Sequence, residues 1–135
     1  METISFTHNW NNKLYCRSFS TVRIENPIKY RLHQEYRIFL NQVKGKPPID
    51  RGVAVLRHIE YFNLFDVNPA VCYLDANLNK ETFIKLVLTM YKNSGIDFNT
   101  KRMSFLVLQF ISPNQSEVKA AETRNQPAEQ LKANF

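Results

Sequence analysis

Five short β-rich segments, three of which alternate apolar and polar residues, set the limits on how this chain can fold. A period of two puts successive side chains on opposite faces of a strand, so the alternating segments read as half-buried β-strands. In residues 3–7, Ile4 and Phe6 share a face. Residues 19–24 alternate again and are ended by Asn26-Pro27. In residues 35–43, Tyr36, Ile38 and Leu40 point one way and Arg37, Phe39 and Asn41 the other. Residues 52–59 form a fourth strand, and residues 103–111 a fifth that is apolar enough to be central. Between the third and fourth, Lys44-Gly45-Lys46-Pro47-Pro48 must be a loop, because consecutive prolines remove two ladder donors.

Helical patterns are fewer. A short helix is expected over residues 9–16, where Trp10 and Leu14 share a face. Helical turns are expected over 64–74, broken at Asn68-Pro69. The strongest helix starts at Asn79, a good N-cap, carries Glu81 at its positive end and is closed by Gly95. Within it Phe83, Leu86, Val87, Met90 and Tyr91 form an apolar stripe at helical spacing, read as core. Strands joined by short turns, with few crossover helices, imply an α+β domain with a mostly antiparallel sheet that curls into a small barrel of five to six strands, helices at one side. That domain is expected over residues 1–112. Residues 113–135 are rich in Ser, Asn, Gln, Glu, Lys and Ala and are read as a polar, flexible tail that offers a site for a protein partner.

With 135 residues the chain suits one domain with its own core. Two cysteines, Cys16 and Cys72, lie in no metal-ligand spacing and are read as reduced, which places the chain in the cytoplasm. No apolar run approaches the roughly 18 residues that a membrane span needs, and no signal peptide is visible. With only Gly45, Gly52 and Gly95, the chain has no glycine-rich phosphate loop. His8, His33 and His58 are scattered, so no metal site and no cofactor are expected.

Charge supplies the first functional clue. The net charge is +6, and residues 1–47 hold eight basic and three acidic side chains, a net of +5. A positive field confined to one third of the chain favours an anionic partner such as nucleic acid, and a plain solubility surface is the competing reading. The segment Arg17-Ser18-Phe19-Ser20-Thr21-Val22-Arg23 lies in that third.

The same segment, with its surroundings, resembles the ASCH domain, a branch of the PUA-like superfamily. That family's hallmark is Gly-x-Lys-x-x-(Thr or Glu)-x-Arg after the first helix. In the stretch from Cys16 to Arg23, Thr21 and Arg23 match at the right spacing, while Cys16 and Ser18 stand where the family has Gly and Lys. Ile4-Ser5-Phe6 and Asn11-Asn12-Lys13-Leu14 resemble the opening strand and helix. His33 and Gln34 replace a Gly-Asp turn, and Gly52-Val53-Ala54-Val55 resembles the next strand. Asp75, the helix from Glu81 to Tyr91 and the last strand resemble the family's closing elements.

The resemblance implies a small barrel with a cleft beside the motif that binds RNA or a nucleotide or nucleoside. Phosphates would be held by Arg17, Arg23, Lys29 and Arg31, with Ser18 and Thr21 in the cleft and Tyr30 or Tyr36 stacking a base. Against this, Arg23 would merely pair with Glu25 or Glu35, and the tyrosines would be core. Some members resemble amidohydrolases of N4-acetylcytidine-type nucleosides. Carried over, Thr21 would be nucleophile or donor and Asp75 the acid/base, but the motif lysine would be Ser18, which supplies neither a base nor a charge unaided. Binding is therefore the leading expectation, and hydrolysis the alternative.

Overall fold

The computed structural model describes residues 1–42 and 44–113. The tail expected from residue 113 onward, with its protein-partner role, lies outside the described residues apart from Pro113, which ends the last strand. In chain order the elements are strand β1 (Glu2–Phe6), a 3₁₀ turn (Trp10–Tyr15), β2 (Ser18–Ile24), β3 (Glu35–Leu40) and β4 (Ile49–Phe62). A 3₁₀ turn (Leu64–Asp66), helix α1 (Pro69–Ala76), helix α2 (Lys80–Met90) and β5 (Met103–Pro113) complete it.

All five expected segments are strands of one sheet, in the order β1-β3-β4-β5-β2. The three pairings β3/β4, β4/β5 and β2/β5 are antiparallel, and β1 runs parallel to β3. β4 is the spine. It begins at Ile49, directly after the two prolines, and its 14 residues pair with β3 on one edge and β5 on the other. Register shifts fall between Val53 and Ala54 and between Leu56 and His58, where extra residues bend the strand and increase its twist. The sheet therefore curls, and its two outer strands, β1 and β2, approach each other.

The curl stops short of a closed barrel, which corrects the expected architecture to a five-stranded half-barrel with two helices. Side chains occupy the gap where a sixth strand or a β1/β2 ladder would lie. The Arg23 guanidinium sits 4.6 Å from the Phe6 ring centre, and its Nη2 donates to the Ser5 carbonyl at 2.9 Å. Thus one edge strand is tied to the other by a side chain rather than by a backbone ladder.

Each face of the sheet has its own core. Ile4, Tyr36, Ile38, Ala54, Leu56, Leu106 and Leu108 fill the inside of the curl and are fully buried. Full burial of one of the Ile or Leu side chains is worth about 1.5–3 kcal/mol. On the other face Val22 and Ile24 of β2 meet Met103, Phe62 and the helices through Cys72, Ala76, Phe83 and Val87. The helices begin where capping dictates. Asn68 Oδ1 accepts from the Ala70 amide at 2.9 Å with Pro69 in the first turn, so Asn68-Pro69 starts α1 as well as breaking the run before it. Asn79 Oδ1 accepts from the Thr82 amide at 2.8 Å. α2 ends at Met90, with Tyr91 as its cap, earlier than the expected closure at Gly95; that glycine takes φ +75° in the turn beyond. Among the described residues no helix is long and apolar enough to cross a membrane.

Replacing Asn79 with Ala should lower unfolding stability by about 1 kcal/mol, read as a fall in the urea midpoint at unchanged slope.

Candidate functional site

The gap between β1 and β2 opens into a cavity of about 220 Å³. Ser5, Phe6, Thr7 and His8 form one side and Thr21, Val22 and Arg23 the other, while Asp75 of α1 and Phe83, Leu86, Met90 and Tyr91 at α2 close it. The apolar stripe of α2 thus has two duties. Phe83 and Val87 are buried core, whereas Met90 is 62% exposed and walls the cavity mouth.

Lys13 is the polar centre of the cavity. Asn9 shapes the 3₁₀ turn that carries it: its Oδ1 accepts from the Leu14 amide at 2.9 Å. The Cys16 amide closes the turn on the Lys13 carbonyl at 3.0 Å. The lysine side chain is thereby turned inward and is 6% exposed. Its Nζ donates to Asp75 Oδ1 at 3.0 Å and to the Asp75 carbonyl at 3.2 Å. Ser20 Oγ donates to the same carboxylate oxygen at 3.0 Å. One aspartate therefore joins the first 3₁₀ turn, β2 and α1. Burial pushes the Lys13 ammonium below the ordinary lysine value; the Asp75 carboxylate opposes that shift, and the Arg23 charge adds to it.

Thr21 and Arg23 form the second polar group. Arg23 Nε donates to Thr21 Oγ1 at 3.0 Å, which leaves the threonine O–H without an acceptor among the described residues. Arg23 makes no ion pair with Glu25 or Glu35; Glu25 is instead held by Arg102, whose Nε lies 2.8 Å from Oε2. Of the residues that the sequence singles out, Thr21, Arg23 and Asp75 converge on the cavity. Lys29 and Tyr30, again with Arg23, line an adjoining open hollow. Arg17, Ser18 and Arg31 are exposed and line neither. Tyr36 is core: its hydroxyl donates to the Lys29 carbonyl at 2.6 Å and accepts from the Arg31 amide at 2.9 Å. No base can stack on it there.

Sequence reasoning missed Lys13 and Ser20. The motif lysine was sought at position 18, three residues before Thr21, yet the amine in the cavity arrives from the preceding turn. No local pattern distinguishes Lys13 from a solvated lysine, since its partner Asp75 lies 62 residues away. Among the described residues no group of three His, Cys, Asp or Glu side chains is placed to hold a metal ion.

No family model matches the chain, and no curated protein matches it. Among solved structures it is similar to the crystal structure of protein EF3133 from Enterococcus faecalis V583, described by the family model DUF984. The TM-score is 0.53 at 8% identity, over 84% of this chain and 82% of that one. At that identity the likeness is one of fold alone.

The buried pair makes a stability prediction with a built-in control. Asp75→Ala leaves the ammonium buried and unpaired and should cost about 3–5 kcal/mol, whereas replacing both partners by apolar residues, Lys13→Met with Asp75→Leu, should recover most of that loss. The pH dependence has a definite sign. With the folded pKa of Lys13 lowered, the unfolded chain binds more protons between the lowered and the ordinary lysine value. Wild-type stability should therefore gain a rising component with pH across that window, and the difference between wild type and Lys13→Met in urea titrations should isolate it.

Proposed function

We propose that the cavity between β1 and β2 binds a nucleobase, carried by a nucleoside or nucleotide or left unpaired in RNA. The observation behind this reading is the convergence of Lys13, Thr21, Arg23 and Asp75 on one small cavity whose α2 wall, Phe83, Leu86, Met90 and Tyr91, is apolar. A flat heterocycle needs that combination: an apolar surface for its ring face, and donors and acceptors for its polar edge. Lys13 and Arg23 donate, Asp75 accepts, and the Thr21 hydroxyl does either. The size favours one ring. At about 220 Å³ the cavity falls below the roughly 300–1,000 Å³ of drug-sized pockets. The resemblance to the ASCH domain supports the same ligand class, because Thr21 and Arg23, its matching positions, both reach the cavity.

Amide hydrolysis of an N4-acetylcytidine-type nucleoside is the second reading, and Lys13 favours it. A missing amine at position 18 argued against catalysis; an amine from the 3₁₀ turn, paired with Asp75 at 3.0 Å, answers that objection. Thr21 would attack the acetyl carbonyl, with Lys13 taking its proton in the neutral form and Asp75 relaying it to the departing amine. A lowered lysine pKa enlarges the neutral fraction near neutral pH, which suits a base. Water would then release acetate and restore the threonine.

Calorimetry with cytidine tests the binding reading. Wild type should bind, and Arg23→Ala should weaken binding by about tenfold or more through loss of a charged donor. Equal affinity in the two proteins would show that Arg23 does not face the ligand. If the physiological ligand is an RNA strand, log affinity should fall with log salt at about −0.7 per phosphate contact. For hydrolysis, acetate release from N4-acetylcytidine should be measured from pH 5 to 9. Lys13→Met should lower a wild-type rate by about 100-fold or more. Absence of turnover by the wild type would end the hydrolytic reading and leave the binding one in place.

A further inference from the structure

The open hollow beside the cavity carries an assignment of its own. It is formed by Arg23, Glu25, Asn26, Lys29, Tyr30, Tyr91 and Lys101 together with the apolar Ile24, Pro27 and Ile28. Two residues, Arg23 and Tyr91, belong to both the hollow and the cavity, so the two spaces meet across them. Resting on the nucleobase reading of the cavity, we infer that this hollow is a phosphate subsite and that the preferred ligand is a mononucleotide rather than a free nucleoside.

Three cations face the hollow, and their charge is not cancelled locally. Among the described residues no carboxylate pairs with Lys29 or Lys101. Glu25, the acid in the lining, is engaged by Arg102 at 2.8 Å. Arg23 commits Nε to Thr21 and Nη2 to the Ser5 carbonyl, and its Nη1 holds no hydrogen bond among the described residues. Lys29 is steered toward the hollow by the turn that precedes it. Its amide donates to Asn26 Oδ1 at 3.1 Å, the Tyr30 amide donates to the Asn26 carbonyl at 2.9 Å, and the ammonium lies 5.7 Å from the Tyr30 ring centre. Lys101 arrives from the far end of the chain, in the turn before β5, whose own geometry is set by its amide donating to the Asp97 carbonyl at 2.9 Å. Two ammonium groups and one free guanidinium nitrogen around an open space give a net positive site that complements a phosphate monoester. A phosphate there would share Arg23 and Tyr91 with the base in the cavity.

Calorimetry with cytidine and with cytidine 5′-monophosphate tests the assignment, alongside amide shifts on titration with inorganic phosphate. Wild type should prefer the monophosphate by about tenfold or more, a preference that salt reduces. In Lys29→Ala with Lys101→Ala the preference should fall to near one. It should persist in Lys44→Ala with Lys46→Ala, which removes the same charge from the loop between β3 and β4. Equal affinity for the two ligands in wild type would overturn the phosphate subsite while leaving the nucleobase reading intact. Phosphate-induced shifts at Lys29 and Lys101 without any cytidine binding would uphold the anion subsite and remove the nucleobase reading. Absence of both the preference and the shifts would overturn the assignment. Tighter binding of an oligocytidine strand, with a salt slope of several contacts, would move the ligand from mononucleotide to RNA and overturn it as well.

Discussion

The ion pair between Lys13 and Asp75 is the contact on which the cleft depends. Both side chains are more than nine-tenths buried, and they join parts of the chain that share no ladder: the turn after β1, the first helix and, through Ser20, strand β2. Burying two charges costs several kcal/mol each in desolvation, and the attraction between them offsets that only when the geometry is good and the spare hydrogen-bonding capacity is used. Here the ammonium reaches both the carboxylate and the carbonyl of Asp75, and Ser20 donates to the same oxygen. An apolar contact of similar volume would hold these elements together as well. On the proposed function, the polar version places an amine and a carboxylate in the cavity wall before the ligand arrives.

Arg23 performs a complementary task at the rim. The half-barrel has two exposed sheet edges facing each other, an arrangement that invites either closure or aggregation. Arg23 spans the gap to the Ser5 carbonyl, stacks over Phe6 and bonds to Thr21, so the edges stay apart at a defined distance and a cavity remains between them. The apolar stripe of α2 then forms its floor. A closed barrel of these strands would have no such opening.

Much of this was legible from local patterns. Alternation located β1, β2 and β3, because register on a half-buried sheet is set by which side chains must face inward, and apolar β-rich runs located β4 and β5. Asn79 announced α2 because its side chain satisfies a helix-end amide wherever the helix goes. Thr21, Arg23 and Asp75 were named through their resemblance to a family motif and do meet at one cavity. Closure of the barrel was not legible, since it depends on whether two strands separated by the whole sheet find each other. Lys13 was not legible either. A lysine almost never lies buried without a partner, and that partner is on another element. The same holds for Lys101, which joins Lys29 only because the turn before β5 returns to the end of β2.

The central claim is that the cavity between β1 and β2 is where a nucleobase binds. A crystal structure of the protein soaked with cytidine tests it most directly. The ring should lie against Phe83, Leu86 and Tyr91, with its polar edge about 2.7–3.2 Å from Lys13, Thr21, Arg23 or Asp75. Density for the ring elsewhere on the protein, or an empty cavity at saturating ligand, would contradict it.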